Sequence, residues 1–280
     1  MSHLEPQLEL KTTTYSVSHH VATLTLSRPH RHNAWTGRMH TEYRHLLSIA
    51  ESDPAVRVVV VTGAGRAFCV GGDAEALGKH AERGSYDPGT PAELDKPGYG
   101  LAAAFDTDFA FQLAMETPII ACVNGAAAGV GLAVVAYADL RFGAQGVTMS
   151  TAHGRLGLPA EYGLSWMLPR LIGPTRATDL LLSSRRFTTD EIADWGLFNA
   201  VVPGDELRGT VDDYSAMLAN EVAPQSVRAT KQQMALDLLR NVGASVDDAG
   251  ARLTQMMGSA DYREGVAALT GKRKPNFTDE

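Results

Sequence analysis

Two runs constrain the fold more than anything else in the chain. "RVVVVTGAG" (57–65) and "PIIACVNG" (118–125) are almost continuously apolar or β-branched, and each ends in glycine. A strand that is apolar on both faces has to be covered on both faces, which is the situation of a buried sheet strand in an α/β protein. "VATLTLSRP" (21–29) alternates apolar and polar residues instead, as a half-buried strand does, and "GVTMST" (146–151) offers a further short strand. Between them lie helical stretches. Met39, Tyr43, Leu46, Leu47 and Ala50 fall on one face of a 3.6-residue period. Strands separated by helices indicate the α/β class.

Residues 74–100, "AEALGKHAERGSYDPGTPAELDKPGYG", interrupt this pattern with polar residues, glycine and proline. They read as a long loop or mobile insertion that opens on a short helix, a kind of segment that often covers a site. Beyond about residue 185 the strand signal fades. "FTTDEIADWGL" (187–197) has Thr188 and Glu191 in capping-box spacing and Gly196 at a helix stop, so a helix is expected there. Residues 226–240 and 246–258 also carry helical patterns.

The glycines that end the two buried strands are the first sign of function. In "GAGRAFCVGGDAEAL" (63–77), Gly71-Gly72 lets backbone approach a ligand before a helix starts, and Asp73 is positioned to organise that loop. In "NGAAAGVGLAVVAYADLRF" (124–142), small residues lead from a strand end into a helix beginning near Gly129. A helix N-terminus carries N–H groups without intrahelical partners, and two amides converging from different strand ends would form an oxyanion hole. The competing reading is that these glycines serve only tight turns and close packing. Neither segment gives G-x-G-x-x-G or a phosphate-binding G-x-x-x-x-G-K-[ST] loop, and "GLSWM" (163–167) is not the G-x-S-x-G of a hydrolase nucleophile. The histidines at 19–20 and 30–32 lack acidic partners at ligand spacing, so no metal is expected.

One carboxylate stands out. Glu161, in "AHGRLGLPAEYGLSWMLPRLIG" (152–173), lies among Leu158, Pro159, Leu164 and Trp166, where desolvation would raise its pKa towards the working range of a general base. The alternative is that it caps the helix that follows, a role compatible with the first. His153 is open to three readings: a second acid/base, a group that orients Glu161, or a satisfied pocket histidine. Tyr162 and Trp166 either pack or shape a pocket.

The rest of the composition mainly excludes. A net charge of −7 without a long basic block argues against a nucleic-acid or membrane surface. Two cysteines, Cys69 and Cys122, imply no disulfide framework. No secretory signal pattern opens the chain and no run is long enough to span a bilayer, so a cytoplasmic location is expected.

Taken in order, "LSRPHRHNAW", "VVVVTGAGRAFCVGGD", "TPIIACVNGAAAGVGLAVVAYADLRF", "GLPAEYGLSWMLPRLIG", "RRFTTDEIADWGLFNAVVP", "SVRATKQQM" and "DYREGVAAL" resemble the crotonase, or enoyl-CoA hydratase/isomerase, superfamily. The resemblance implies a crotonase-like spiral of ββα repeats over residues 1–205 that binds acyl-CoA. It implies a C-terminal helical trimerisation region over 206–280, giving a homotrimer or homohexamer. The substrate would be a coenzyme A thioester, with no separate cofactor. Its carbonyl would lie between the backbone N–H groups of Gly72 and Val130, the latter in the middle of a triplet that is commonly Gly-Gly-Gly. The CoA arm would pass His30, Arg31, His32 and Val70, with Lys79 at a phosphate; Trp166, on its residue reading, either packs or shapes the acyl pocket. Two departures matter. Ala133 stands where hydratases carry their first glutamate, and His153 where they carry the second. Glu161 matches the position where several isomerases, and an aryl-CoA dehalogenase, carry an acid. The expected reaction is therefore enoyl-CoA double-bond isomerisation with Glu161 as proton shuttle. The alternatives are hydration with Glu161 activating water and His153 assisting, and a member that binds acyl-CoA without turnover.

Overall fold

The computed structural model describes residues 8–279, so the reading of the first seven residues lies outside it. The chain runs β1 (Thr13–Ser18), β2 (Val21–Leu26), α1 (Gly37–Ser52), β3 (Val58–Gly63), β4 (Ala67–Cys69), α2 (Ala74–Arg83), α3 (Phe111–Ala114) and β5 (Ile119–Val123). It continues through β6 (Ala126–Ala128), α4 (Val130–Tyr137), β7 (Leu140–Ala144), β8 (Thr148–Ser150), α5 (Leu164–Ile172), α6 (Pro174–Ser183), β9 (Phe187–Thr188) and β10 (Ala200–Val202). Four helices close it: α7 (Leu207–Glu221), α8 (Pro224–Asp237), α9 (Val242–Met256) and α10 (Ala260–Gly271).

Two sheets share these strands. The larger has the order β1-β2-β3-β5-β7-β10, and the smaller β4-β6-β8-β9. In the larger sheet only β1 and β2 run antiparallel; β2, β3, β5, β7 and β10 are parallel neighbours. Each central strand of the larger sheet continues into a short strand of the smaller one: β3 into β4, β5 into β6, β7 into β8. The chain thus winds as a spiral, giving one strand to each sheet per turn and then a helix or a longer connection. The β-branched β3 and β5 are buried along nearly their whole length, as their double-sided apolar sequence requires.

The corners between sheets are fastened by two asparagines. The Asn124 side chain accepts from Gly63 N–H (3.1 Å) and Thr62 Oγ1 (3.2 Å) and donates to the Gly63 and Gly65 carbonyls (2.9 and 3.0 Å). That ties the β5–β6 corner to the β3–β4 corner. Asn33 Nδ2 donates to the Ala64 and Ala67 carbonyls, joining the α1 approach to the same place. A side chain on Gly125 would put its Cβ 2.1 Å from the Arg66 carbonyl oxygen, so the Asn-Gly pair is dictated by close backbone approach.

Two expectations need correction. The expected helix over 187–197 is β9, a turn and a single 3₁₀ turn over Ala193–Trp195. The capping bond from Glu191 N–H to Thr188 Oγ1 forms at 3.3 Å, but Gly196 adopts a left-handed φ of 90° before a second turn can grow. The 74–100 segment opens on α2, as expected, yet its remainder is docked rather than free. Thr90 Oγ1 meets Thr41 Oγ1 at 3.0 Å, and Arg44 Nε donates to the Asp95 carbonyl at 2.9 Å. In the helical C-terminal part, Leu207, Val211 and Ala219 of α7 belong to the main hydrophobic cluster. Among the described residues no helix is long and apolar enough to cross a membrane.

Candidate active site

Strands β4, β6 and β8 are parallel neighbours, paired as Ala67↔Ala126, Cys69↔Ala127, Ala127↔Met149 and Ala128↔Ser150. Their carboxyl ends therefore emerge side by side, and open α/β sheets bind ligands at such ends. From the first comes Gly72, from the second Val130 and from the third His153. A Cβ on Gly129 would lie 3.7 Å from the Gly71 Cα and 3.9 Å from the Ala152 Cβ, so the three strand ends touch.

The backbone around Gly72 leaves its amide over. Trp35 N–H donates to the Gly71 carbonyl (2.7 Å) and Asp73 N–H to the Trp35 carbonyl (2.8 Å), so the residues on both sides are committed. Val130 is the first residue of α4, where an N–H has no intrahelical acceptor. Among the described residues neither the Gly72 nor the Val130 N–H has a protein acceptor. Asp73 fixes the turn that follows Gly72. It accepts from Glu75 N–H at 3.0 Å as the α2 cap and pairs with Arg28 at 3.0 Å. Burial would raise its pKa, but the Arg28 guanidinium and the backbone donors hold it below the usual carboxylate range. Gly131 sets the start of α4 against β4, since a Cβ there would fall 2.1 Å from the Cys69 carbonyl oxygen. Burial pushes the Cys69 thiol up to about 12, so it stays protonated and is no nucleophile at neutral pH.

After β8 the chain makes a tight irregular passage. Ala152 has a φ of 63°, and a 3₁₀ turn covers His153–Leu156. Ser184, at the end of α6, anchors it. Its Oγ accepts from Gly154 N–H (2.9 Å) and from Thr151 Oγ1 (3.2 Å). His153 is buried, and its Nδ1 has no protein partner. Glu161 follows, half-buried, with no hydrogen bond or ion pair to its carboxylate among the described residues. The capping alternative therefore fails, because α5 begins after Gly163 without a side-chain cap. Burial raises the Glu161 pKa, and only the nearby His153 opposes it.

Of the apolar neighbours in sequence, Leu158 is 42% exposed and Leu164 lies in the core, since left-handed Tyr162 and Gly163 turn the chain between them. The groups that feel the Glu161 charge are the phenols of Tyr86 and Tyr162, both raised chiefly by burial. Tyr162 packs edge-to-face on Phe109 (centroids 5.0 Å apart) and on Tyr86 (6.2 Å). Phe109 and Tyr162 both have left-handed backbones, with φ of 63° and 52°. For bulky residues that conformation costs about 1 kcal/mol or more each and persists only where neighbours enforce it. Around Phe109 the neighbours are Trp35, Tyr43 and His40, and His40 Nε2 lies 3.4 Å from Asp108 Oδ1.

The remaining expected residues lie on the rim. His30 and Arg31 sit in a 3₁₀ turn, Pro29–Arg31, capped by left-handed His32, and all three are exposed, as is Val70. Lys79 is exposed on α2 with its ammonium 2.8 Å from Glu75 Oε1, and Arg31 is close enough to lower the Glu75 pKa. The cations expected at CoA thus gather on one edge, beside the amides. Trp166 stands apart from the aromatic group: the Arg170 guanidinium covers its ring at 3.9 Å. Ala133, at the position of the first hydratase glutamate, is fully buried in α4. The sequence reading missed Tyr86, Phe109 and Ser184. Tyr86 is one of two tyrosines, with Tyr99, in the otherwise polar 74–100 insertion, and that was the available signal. Nothing local marks Phe109 or Ser184.

Free amides at parallel strand ends, with a half-buried unpaired carboxylate near His153 of the third strand end, are an arrangement that could polarise a carbonyl and move a proton. The sequence profile described as enoyl-CoA hydratase/isomerase matches residues 16–280. The 1,2-epoxyphenylacetyl-CoA isomerase of Escherichia coli K12 is 33% identical over 269 residues, spanning 92% of this chain and 95% of that protein. The mevalonyl-coenzyme A hydratase of Aspergillus fumigatus is 30% identical, spanning 92% and 91%. The crystal structure of an enoyl-CoA hydratase from Bacillus anthracis superposes with a TM-score of 0.83 at 25% identity, covering 96% of this chain and all of that one. The chain belongs to the enoyl-CoA hydratase/isomerase family.

Proposed function

We propose that this chain isomerises enoyl-CoA thioesters, with Glu161 carrying the proton and the Gly72 and Val130 amides holding the thioester enolate. The observation that carries this reading is the half-buried Glu161 carboxylate, unpaired among the described residues and raised in pKa, in a chain whose sequence puts Ala133 and His153 where a hydratase carries its two acids. One base suffices for isomerisation. Glu161 removes a proton from a carbon activated by the thioester, charge moves onto the carbonyl oxygen between the two N–H groups, and the same proton returns to another carbon. Mass is conserved. The CoA arm would run along His30, Arg31, His32 and Val70, with Lys79 exchanging Glu75 for a phosphate.

The second reading is hydration, with Glu161 activating water. It is favoured by the unpartnered, buried Nδ1 of His153, which would supply a second proton-handling group. The same thioester site would also serve a member that binds without turnover. The exposed apolar side chains of the last helices, including Met234, Val242, Leu253 and Leu269, support assembly into a homotrimer or homohexamer.

The test uses wild type and Glu161→Gln in heavy water with 2-enoyl-, 3-enoyl- and arylacetyl-CoA thioesters, followed by mass spectrometry. Deuterium entering an isomerised product, and lost in the variant, is the expected result. A product heavier by water would replace isomerisation with hydration. Binding without exchange in any thioester would leave the non-catalytic reading.

A further inference from the structure

Resting on the thioester reading above, we infer that Tyr86, supplied by the 74–100 insertion, is a specificity-determining residue whose ring forms one wall of an acyl pocket for ring-bearing acyl groups. Three observations carry this. The insertion is held in place at several points, so Tyr86 is carried by a fixed support. Besides the bonds from Thr41 and Arg44, the Pro88 carbonyl packs so closely on α1 that a Cβ on Gly37 would fall 2.1 Å from its oxygen. The Tyr86 ring is itself braced, edge-to-face, by His80 at 5.0 Å.

Next, Tyr86, Tyr162 and Phe109 form a continuous series of rings, at 77° and 75° to one another, that begins beside Glu161 and runs inward. An edge-to-face contact engages the face of one ring and only the edge of the other, so such a series keeps faces free for a further ring. Tyr86 is 47% exposed, which leaves an aromatic surface open beside a desolvated carboxylate. Finally, the two inner rings are kept in left-handed backbone conformations that other residues would occupy at less strain. A flexible straight chain gains little from this wall, whereas a planar ring gains an aromatic contact.

The experiment measures affinity, so it does not depend on Glu161 turnover. Phenylacetyl-CoA and hexanoyl-CoA, neither of which has a double bond to move, are titrated calorimetrically into wild type, Tyr86→Ala and Tyr86→Phe. The expected result is tighter binding of phenylacetyl-CoA by wild type. Tyr86→Ala should weaken phenylacetyl-CoA by about three- to ten-fold while hexanoyl-CoA stays within about two-fold, and Tyr86→Phe should keep the preference. Retained hexanoyl-CoA binding also reports that the variant is folded. Equal affinity of wild type for the two thioesters, or equal weakening of both by Tyr86→Ala, overturns the inference and leaves the isomerase reading standing. If wild type binds neither thioester, the underlying acyl-CoA site falls with it.

Discussion

Replacing Gly131 by alanine should separate the oxyanion site from the fold that carries it. The added Cβ would sit 2.1 Å from the Cys69 carbonyl oxygen and 2.9 Å from the Cys69 Cβ. Contacts that short are repulsive, and the obstacle is β4 backbone rather than a side chain that can rotate. The start of α4 must therefore retreat by about 1 Å. Val130 precedes Gly131 and moves with it, while Gly72 stays on its own strand end. A displacement of about 1 Å at reacting groups costs about 10²-fold, and loss of one oxyanion donor about 10²–10³-fold. The expected fall in kcat/KM for solvent-deuterium exchange into a 3-enoyl-CoA is therefore about 10²–10³-fold. Overpacking of this kind destabilises by about 1–3 kcal/mol, which lowers Tm by roughly 2–10 °C and leaves a folded protein to assay. Gly78→Ala, on the exposed α2, is the paired control: nothing lies within 4 Å of its Cβ, so activity should stay within about three-fold. The reasoning is refuted if folded Gly131→Ala exchanges at the wild-type rate, or if the two glycine variants lose activity equally.

Three further outcomes follow from the structure. Because burial raises the Glu161 pKa, kcat/KM should rise with pH through a midpoint above the ordinary carboxylate range as the base ionises; a pH–rate profile flat from pH 4 to 8 would remove Glu161 from the rate equation. Glu42 is fully buried and accepts from Lys11 N–H, Thr12 N–H, Thr12 Oγ1, Thr13 Oγ1 and Arg38 Nε. Burial alone would raise its pKa, but these donors hold it below the usual range, so its contribution is full above about pH 4.3 and is lost as pH falls through the depressed value. Glu42→Gln should cost about 3 kcal/mol at neutral pH and flatten the acid limb of a urea-denaturation series. Asn124→Ala removes four hydrogen bonds between two corners of the spiral, and urea melts should report a loss of about 2–3 kcal/mol.

How far the chain could be read in advance depended on how much of each element is local. The runs at 57–65 and 118–125 became β3 and β5 because six or so consecutive buried residues leave an unmistakable pattern. Strands β4, β6 and β8 are three residues each, too short for any period to show, and they exist because a neighbouring turn of the spiral offers them a partner. The 187–197 segment shows the converse: Thr188 and Glu191 make their local bond, and the helix still does not follow. Glu161 was visible from its apolar sequence neighbours, although one of the phenols that feel its charge, Tyr86, is not among them. Tyr86 lies 75 positions away on an insertion whose composition says only that it is a loop. Phe109 and Ser184 act through backbone conformation and a single hydroxyl, neither of which leaves a trace in composition or period.

The winding that brings three strand ends together also sets when they can meet. Apart from the β1–β2 hairpin, each parallel pairing in the larger sheet joins segments separated by a long stretch of intervening chain, as when Val59 pairs with Ile119. Loop-closure entropy has to be met before such contacts return anything, which makes this topology slow to assemble compared with its helices. Gly72 and Val130 become neighbours only after β4 and β6 have paired. In a refolding experiment, helical signal should therefore recover first and thioester binding afterwards, with the interval between them timing the closure of one turn upon the next.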